Sequence, residues 1–428
     1  MGQDRTRQAC DVAIIGTGPY GLSLAAHLRA RGVNFRIFGK PMDLWRSHMP
    51  KGMMLKSDGF ASNLSAPDRH STLNDFCQGH GKPYADQGLP IPLTDFIEYA
   101  DWFRARHVPD VEETMVTRLD RTADGFLLDL DTGERLIADR VVLAVGITWF
   151  AKIPAELSQL PSHFVSHSYD HRTVDQFKGR EVVVVGAGAS AINLAYELTE
   201  VGSSVRLLAR SNQIEYQEPP DPEAGSLLHR LQHPPSPVGP GWRSFFCSAL
   251  PSLFYRLPAS LQARAIRSHL RPSGGWYMRE KVQEQVPSVL GRAIEGAYEE
   301  NGRAHVRLAG LKDALVCDHV IAATGYQIDW HRLPFLSPEL RCLVSRKGRS
   351  PLVSTSFETT LDGLFVVGPL VMENFGPLLR FMAGAEYASP RLSRILRRRI
   401  AMRRAYKVFK RAWGRFMEWA GQPKPLFR

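Results

Sequence analysis

No two of the five cysteines (Cys10, Cys77, Cys247, Cys317, Cys342) stand as a Cys-x-x-Cys pair. That argues against a thiolate zinc site and a redox dithiol, and scattered single thiols suit a reducing compartment such as the cytoplasm. No apolar run is long enough to span a bilayer, and no secretory leader is recognisable. Metal-ligand spacing is missing too: His48, His70 and His167 read as ordinary polar partners, so no metal site is expected. Excess charge is absent from most of the chain. Of 54 Lys and Arg in 428 residues, 13 lie between Arg391 and Arg428 beside the single acid Glu418. The remainder holds 41 basic and 42 acidic side chains, so the net charge of +11 belongs to the C-terminal stretch. Those basic residues form no recognisable nucleic-acid module, and nucleic acid is not an expected partner.

What is present starts at Asp11. Val12 to Ile15 reads as a buried parallel strand that breaks into Gly16, Gly18, Pro19, Tyr20 and Gly21, with a helix pattern directly behind. This arrangement sets backbone N–H groups and a helix N-terminus against a pyrophosphate. Gly16 permits the turn, Gly18 lets the backbone approach the phosphates, and Gly21 lets helix pack on strand. A second strand over Asn34 to Phe38 ends in Phe38-Gly39, without the acid that commonly meets an adenosine ribose. Pro41 to Pro92 is polar and irregular, the kind of long connection that carries function. Leu93 to Arg106 reads as an amphipathic helix with Thr94 as N-cap. Met115 to Val145 alternates like strands, turns at Asp124-Gly125 and Thr132-Gly133, and closes on a buried strand ending at Gly146.

The plan then repeats. Glu181 to Val185 runs into Gly186, Gly188, Ala189, Ser190 and a helix through Leu198, and the next strand, Val205 to Ala209, ends at Arg210. A Pro-rich and aromatic insertion follows. Strand-like stretches then lie around Ala304 to Leu308 and Ala314 to Val316, and Val320 to Ala323 runs into Thr324, Gly325 and Tyr326. Leu361 to Gly368 is one more buried strand ending in glycine. Asn374, Phe375, Gly376, Pro377 and a helix pattern from Leu378 to Tyr387 come after it. Two glycine-turn units imply two dinucleotides. Arg210, where a ribose 2′-phosphate would lie, and Ala191 in place of a third glycine point to NADPH in the second unit and leave FAD to the first.

The expected architecture is α/β with two Rossmann-like dinucleotide-binding domains, the second inserted in the first, plus β-excursions. Residues 1–160 form the first part of an FAD domain, and 161–330 an NADPH domain carrying an aromatic, Pro-rich insertion at 212–280. Residues 331–390 complete the FAD domain, and 391–428 form a basic amphipathic helical tail. Leu392, Ile395, Leu396, Phe409, Trp413, Phe416 and Met417 lie near helical spacing in that tail. It can dock on the body or lie on an anionic membrane, in which case the protein would sit peripherally on the inner membrane face. The aromatics Trp242, Phe245, Phe246, Phe254, Tyr255, Trp276 and Tyr277 are readable either as core or as an apolar substrate lid.

Several stretches together resemble the landmarks of the class B flavoprotein monooxygenases. They are Gly16-Thr17-Gly18-Pro19-Tyr20-Gly21, Trp45-Arg46, His167-Ser168 ahead of Phe177-Lys178-Gly179, Gly186-Ala187-Gly188, and Ala323-Thr324-Gly325-Tyr326. The group includes flavin-containing monooxygenases, Baeyer–Villiger enzymes and ornithine/lysine N-hydroxylases. The resemblance implies an enzyme in which NADPH reduces FAD and reduced flavin takes up O₂ as a flavin peroxide. One oxygen atom then passes to an amine, a sulfide or a carbonyl, with N-hydroxylation favoured. Lys56, with Pro67-Asp68 and Ser71 downstream, is most similar to the N-hydroxylase branch, where a lysine in this region contacts the substrate. Lys56, Ser57 and Asp58 are therefore the candidate catalytic residues. Trp45, Arg46, Val116, Gly146, Gly368 and Phe375 to Leu378 join the glycine turns, Arg210 and Thr324 to Tyr326 as cofactor candidates. Two rivals remain: an NADPH oxidase or flavin reductase, and a membrane-attached flavoprotein that senses redox state.

Overall fold

The protein is described by a computed structural model over residues 8–219, 231–269 and 271–420. Val12–Ile15 (β1) is apolar and buried at every position, and it runs into the glycine turn and helix α1 (Pro19–Ala30). Phe35–Phe38 (β2) lies beside it. Helix α2 (Leu93–His107) packs Phe96, Tyr99 and Phe103 into the same core. Its N-cap is Pro92 and no side chain caps it, so Thr94 stands inside the first turn and not at the cap. Residues 116–138 form an antiparallel meander turning at Gly125 and Gly133, with Gln8–Cys10 added in parallel at its edge. Val141–Leu143 (β3), buried throughout, pairs with β1.

The second unit repeats this order. Val165–His167 (β4), Glu181–Val185 (β5), helix α3 (Ala189–Glu200), Ser204–Ala209 (β6), Ser288–Leu290 (β7) and His319–Ala322 (β8) give a parallel sheet in the order β4-β8-β5-β6-β7. Its excursion has three strands, Ile294–Glu300, Arg303–Leu308 and Leu315–Cys317. The first of these is not evident in the sequence, because Glu295, Glu299 and Glu300 dilute its apolar alternation. Leu364–Val366 (β9) returns to the first sheet and pairs with β3, giving the order β9-β3-β1-β2. The chain thus leaves one parallel sheet, builds another and comes back.

The C-terminal part corrects the sequence reading. The stretch 378–387 is not one helix: Pro377–Arg380 is a short 3-10 turn, and the long helix α4 begins only at Gly384 and runs to Ala420 through Pro390. Residue 391 therefore falls inside a continuous helix. Leu392, Leu396 and Ile400 are buried against the body and the helix lies along α1. Met402, Tyr406, Phe409 and Trp413 are exposed. Within the insertion, Trp242–Ala249, Pro251–Phe254 and Ala259–His269 are helices. Its stretch 220–230, residue 270 and the tail end 421–428 lie outside the described residues.

Candidate active site

Each glycine turn forms an open cradle. Gly16 has φ +112°, and a Cβ there would lie 2.4 Å from the Ala144 carbonyl oxygen. A Cβ on Gly21 would lie 1.9 Å from the Gly16 carbonyl oxygen, closer than any real contact. Beside Gly18 the space is empty to 4 Å, and no side chain caps the start of α1. Uncapped first-turn amides facing open space suit a pyrophosphate. At the second cradle Gly186 has φ +146°, Gly188 meets only the Pro272 side chain at 3.6 Å, and α3 also starts without a side-chain cap. Both cradles fit the dinucleotides expected from the sequence. Ala189 and Ser190 form the first turn of α3, and Arg210 is exposed at the end of β6.

The two cradles lie at the C-terminal ends of their parallel sheets, and the crossing segments leave from those same ends. The crossings are tied together: Lys152 N–H donates to the Gly325 carbonyl at 3.2 Å, and Gln327 N–H to the Phe150 carbonyl at 2.7 Å. Tyr326 bridges to Ala151, and the Thr324 hydroxyl donates to the Lys152 carbonyl. His167 Nε2 contacts the Gly325 carbonyl at 3.0 Å, and burial lowers its pKa. Ligands of open α/β sheets collect at such carboxyl ends.

The remaining cofactor candidates divide into two groups. The Tyr20 hydroxyl is shared between the carbonyls of Leu379 and Phe381 at 2.9 and 2.8 Å, and Gly368, at φ +79°, packs against the Tyr20 ring. Tyr20, Gly368 and the segment Leu379 to Phe381 thereby lie together beside the first turn. Gly39 would place a Cβ 3.1 Å from Thr17 Oγ1, and its N–H donates to the Glu112 carbonyl. That bond brings the strand beginning at Val116 towards the same end of β2. Other residues are engaged elsewhere. Trp45 packs on Phe96 at 4.7 Å, Arg46 pairs with Asp101 at 2.5 Å, and Phe375 is buried against Phe357 and Tyr255. Gly376, at φ +95°, lies against the Phe254 ring.

Lys56, Ser57 and Asp58 line a pocket with Gly88, Leu89, Gln217, Trp276 and Tyr277. The Lys56 ammonium donates to the carbonyl and the hydroxyl of Ser273, at 2.8 and 2.9 Å, and burial lowers its pKa to about 8. Asp58 accepts from the Gly88 N–H at 3.3 Å, and burial raises its pKa. The Ser57 hydroxyl meets that of Ser62 at 2.8 Å. Ser273, Gln217 and Tyr277 belong to the insertion, whose neck closes where Gln217 N–H donates to the Gly274 carbonyl. The neck touches Gly188 through Pro272 and reaches the first unit through the Tyr277 hydroxyl, which donates to the Met54 carbonyl at 2.9 Å. Ser273 and Gln217 are missed by sequence reasoning, since nothing in a loop's composition says which other loop it meets. The aromatics divide likewise: Phe254 is core, Trp276 and Tyr277 line the pocket, and Trp242 and Phe246 are exposed.

Each of the two parallel sheets thus carries a glycine cradle at its carboxyl end, the place where open α/β sheets take a dinucleotide. Residues 13–225 match the family model described as pyridine nucleotide-disulphide oxidoreductase. Two curated relatives are each 28% identical. One is the indole-3-pyruvate monooxygenase YUCCA1 of Oryza sativa, aligned over 46% of this chain and 47% of the relative. The other is the senecionine N-oxygenase of Tyria jacobaeae, over 48% of each. Ferredoxin–NADP reductase of Streptococcus pyogenes matches at 25% over 49% of this chain and 57% of its own length. The chain therefore spans about half the length of the curated relatives it matches. In fold, 92% of it superposes on the whole of an ornithine N-hydroxylase from Kutzneria sp. 744, with TM-score 0.75 and 15% identity. The chain therefore shares the fold of that structure over nearly its whole length.

Proposed function

We propose that this chain is an FAD-containing, NADPH-dependent monooxygenase that places one oxygen atom on a small organic substrate, with N-hydroxylation of an amine favoured. The observation that carries the reading is the convergence of two uncapped glycine cradles on one tied crossing. The bound cofactors would supply hydride transfer and oxygen activation. The Gly16–Gly21 turn and the start of α1 would hold the FAD pyrophosphate, and Gly186 to Ser190 that of NADPH, with Arg210 at its 2′-phosphate. Lys56, fixed by Ser273, would orient the substrate by its charge, and Asp58 would accept a hydrogen bond from the amine. Trp276 and Tyr277 would exclude water from the pocket.

The test is oxygen consumption with NADPH and candidate amines, with hydroxylated product and hydrogen peroxide measured together. Product matching NADPH used supports the reading. Peroxide alone with every substrate would favour an NADPH oxidase or reductase, the rival that the ferredoxin reductase match supports. Lys56→Met should raise KM far more than it lowers kcat if the ammonium only orients substrate.

A membrane-surface role for the C-terminal helix is a second part of the proposal. Its support is the exposure of Met402, Tyr406, Val408, Phe409 and Trp413 on a strongly basic helix. Co-sedimentation with anionic liposomes that survives deletion of Met402 to Arg428 would remove it.

A further inference from the structure

The ends of the first sheet opposite the cradles hold a second cavity, lined by Asp11, Asp139, Arg140, Ile400, Arg403 and Arg404. Asp11 immediately precedes β1, Asp139 and Arg140 immediately precede β3, and Ile400, Arg403 and Arg404 come from α4. Two of the three guanidinium groups are matched: Arg403 pairs with Asp139 and Arg404 with Asp11, each at 2.6 Å. Arg140 is the remainder. Its relative exposure is 9%, and among the described residues its side chain has no hydrogen bond or ion pair. Nη1 in particular is shut off from solvent without a partner. Of the carboxylates facing Arg140, Asp139 acts on it most and Asp362 less, both outside ion-pair distance, and Arg403 acts against it. Arg399, which also faces it, is already bound to Glu358.

A buried guanidinium left unpaired is costly, because its hydration is lost and nothing replaces it. Fold stability alone gives no reason to keep one there; an apolar side chain of similar volume would pack as well. A site with a forked donor already desolvated, and two further guanidinium groups on its wall, matches the geometry by which arginine takes a tetrahedral oxyanion.

We propose that this cavity is a binding site for a phosphoryl group, with Arg140 as its inner contact and Arg403 and Arg404 at its mouth. The site is separate from the cofactor cradles and does not depend on the activity assigned above. The phosphoryl group can come from free phosphate or from the headgroup of an anionic lipid. α4 carries Arg403 and Arg404 directly beside the exposed Met402 and Tyr406, which brings the second source within reach.

The experiment uses the full chain. Thermal unfolding and titration calorimetry with inorganic phosphate, against chloride at equal ionic strength, are run on the wild type, Arg140→Met and Arg404→Ala. The Arg404 side chain is 65% exposed, so its variant keeps the comparison open should Arg140→Met not fold. Expected are a phosphate-dependent rise in Tm for the wild type and binding weakened about tenfold or more in each variant. Flotation with phosphatidylglycerol and phosphatidylcholine vesicles separates the sources. Weakened binding of both variants to phosphatidylglycerol assigns a lipid headgroup, and unchanged vesicle binding with lost phosphate binding assigns the free anion. A wild type indifferent to phosphate and to vesicle charge, or variants that respond as the wild type does, would overturn the site.

Discussion

The two dinucleotide units follow one plan but close their turns differently. In the first, Gly21 passes so close to Gly16 that no Cβ can stand there; in the second, Ala191 occupies the same step fully buried. The first cradle is also clasped from behind by Tyr20, whose hydroxyl holds the segment leading into α4, and Gly384 leaves only 2.1 Å between that hydroxyl and a Cβ. The second is bounded by Pro272 of the insertion and ends its second strand in the exposed Arg210. Under the proposed function, the clasped first unit would retain its ligand and the more open second unit would exchange one. That division suits a resident flavin beside a nicotinamide that comes and goes.

The sharpest break in this comparison is a pair of glycine variants. Gly21→Ala should cost several kcal/mol, since its Cβ meets backbone that cannot move aside, and loss of the cooperative unfolding transition would register it. Gly18→Val, whose Cβ would meet nothing within 4 Å, should fold yet fail to retain flavin, and a yellow, fully loaded variant would contradict the cradle. Ala191→Gly in the second unit should cost only about 1 kcal/mol by chemical denaturation. Next in size is the clasp. Tyr20→Phe leaves two carbonyls short of a donor and should lower stability by about 1–3 kcal/mol, with faster flavin loss on dilution. Arg210→Ala should weaken NADPH relative to NADH by about 1–3 kcal/mol, and equal losses for the two would remove Arg210 from the 2′-phosphate.

The smallest effect concerns the seam between the units. The Glu197 carboxyl of α3 lies beside Gly52 of the first unit, and burial raises its pKa to about 7. A carboxyl raised above its unfolded value binds a proton more tightly in the folded state. Its contribution is therefore complete at pH below the ordinary carboxylate range and is lost as pH rises through about 7. Glu197→Gln should flatten that decline in stability between acid and neutral pH; an unchanged slope would place the titration elsewhere.

Both cradles were legible in the sequence because a buried parallel strand is an unbroken apolar run and a glycine at positive φ has few substitutes. The crossings and the return of β9 followed from the repeated order. Chance neighbours were not legible. Ser273 meets Lys56 across 217 residues, and Trp45 and Arg46 turn out to be held by Phe96 and Asp101. Local signals misled at Thr94, where a good capping residue stands two residues past the cap, and at Leu378 to Tyr387, whose helix pattern is split between a 3-10 turn and the start of α4. Arg140 gave no signal at all, since its lack of a partner exists only in three dimensions.

The central claim is that the first cradle carries a flavin which the second unit's nicotinamide reduces. Titrating the purified chain with FAD and then adding NADPH without oxygen tests it most directly. Saturable uptake of FAD at one equivalent and bleaching of its yellow band by NADPH are expected. A chain that takes up no FAD, or whose bound FAD stays oxidised under NADPH, would contradict it.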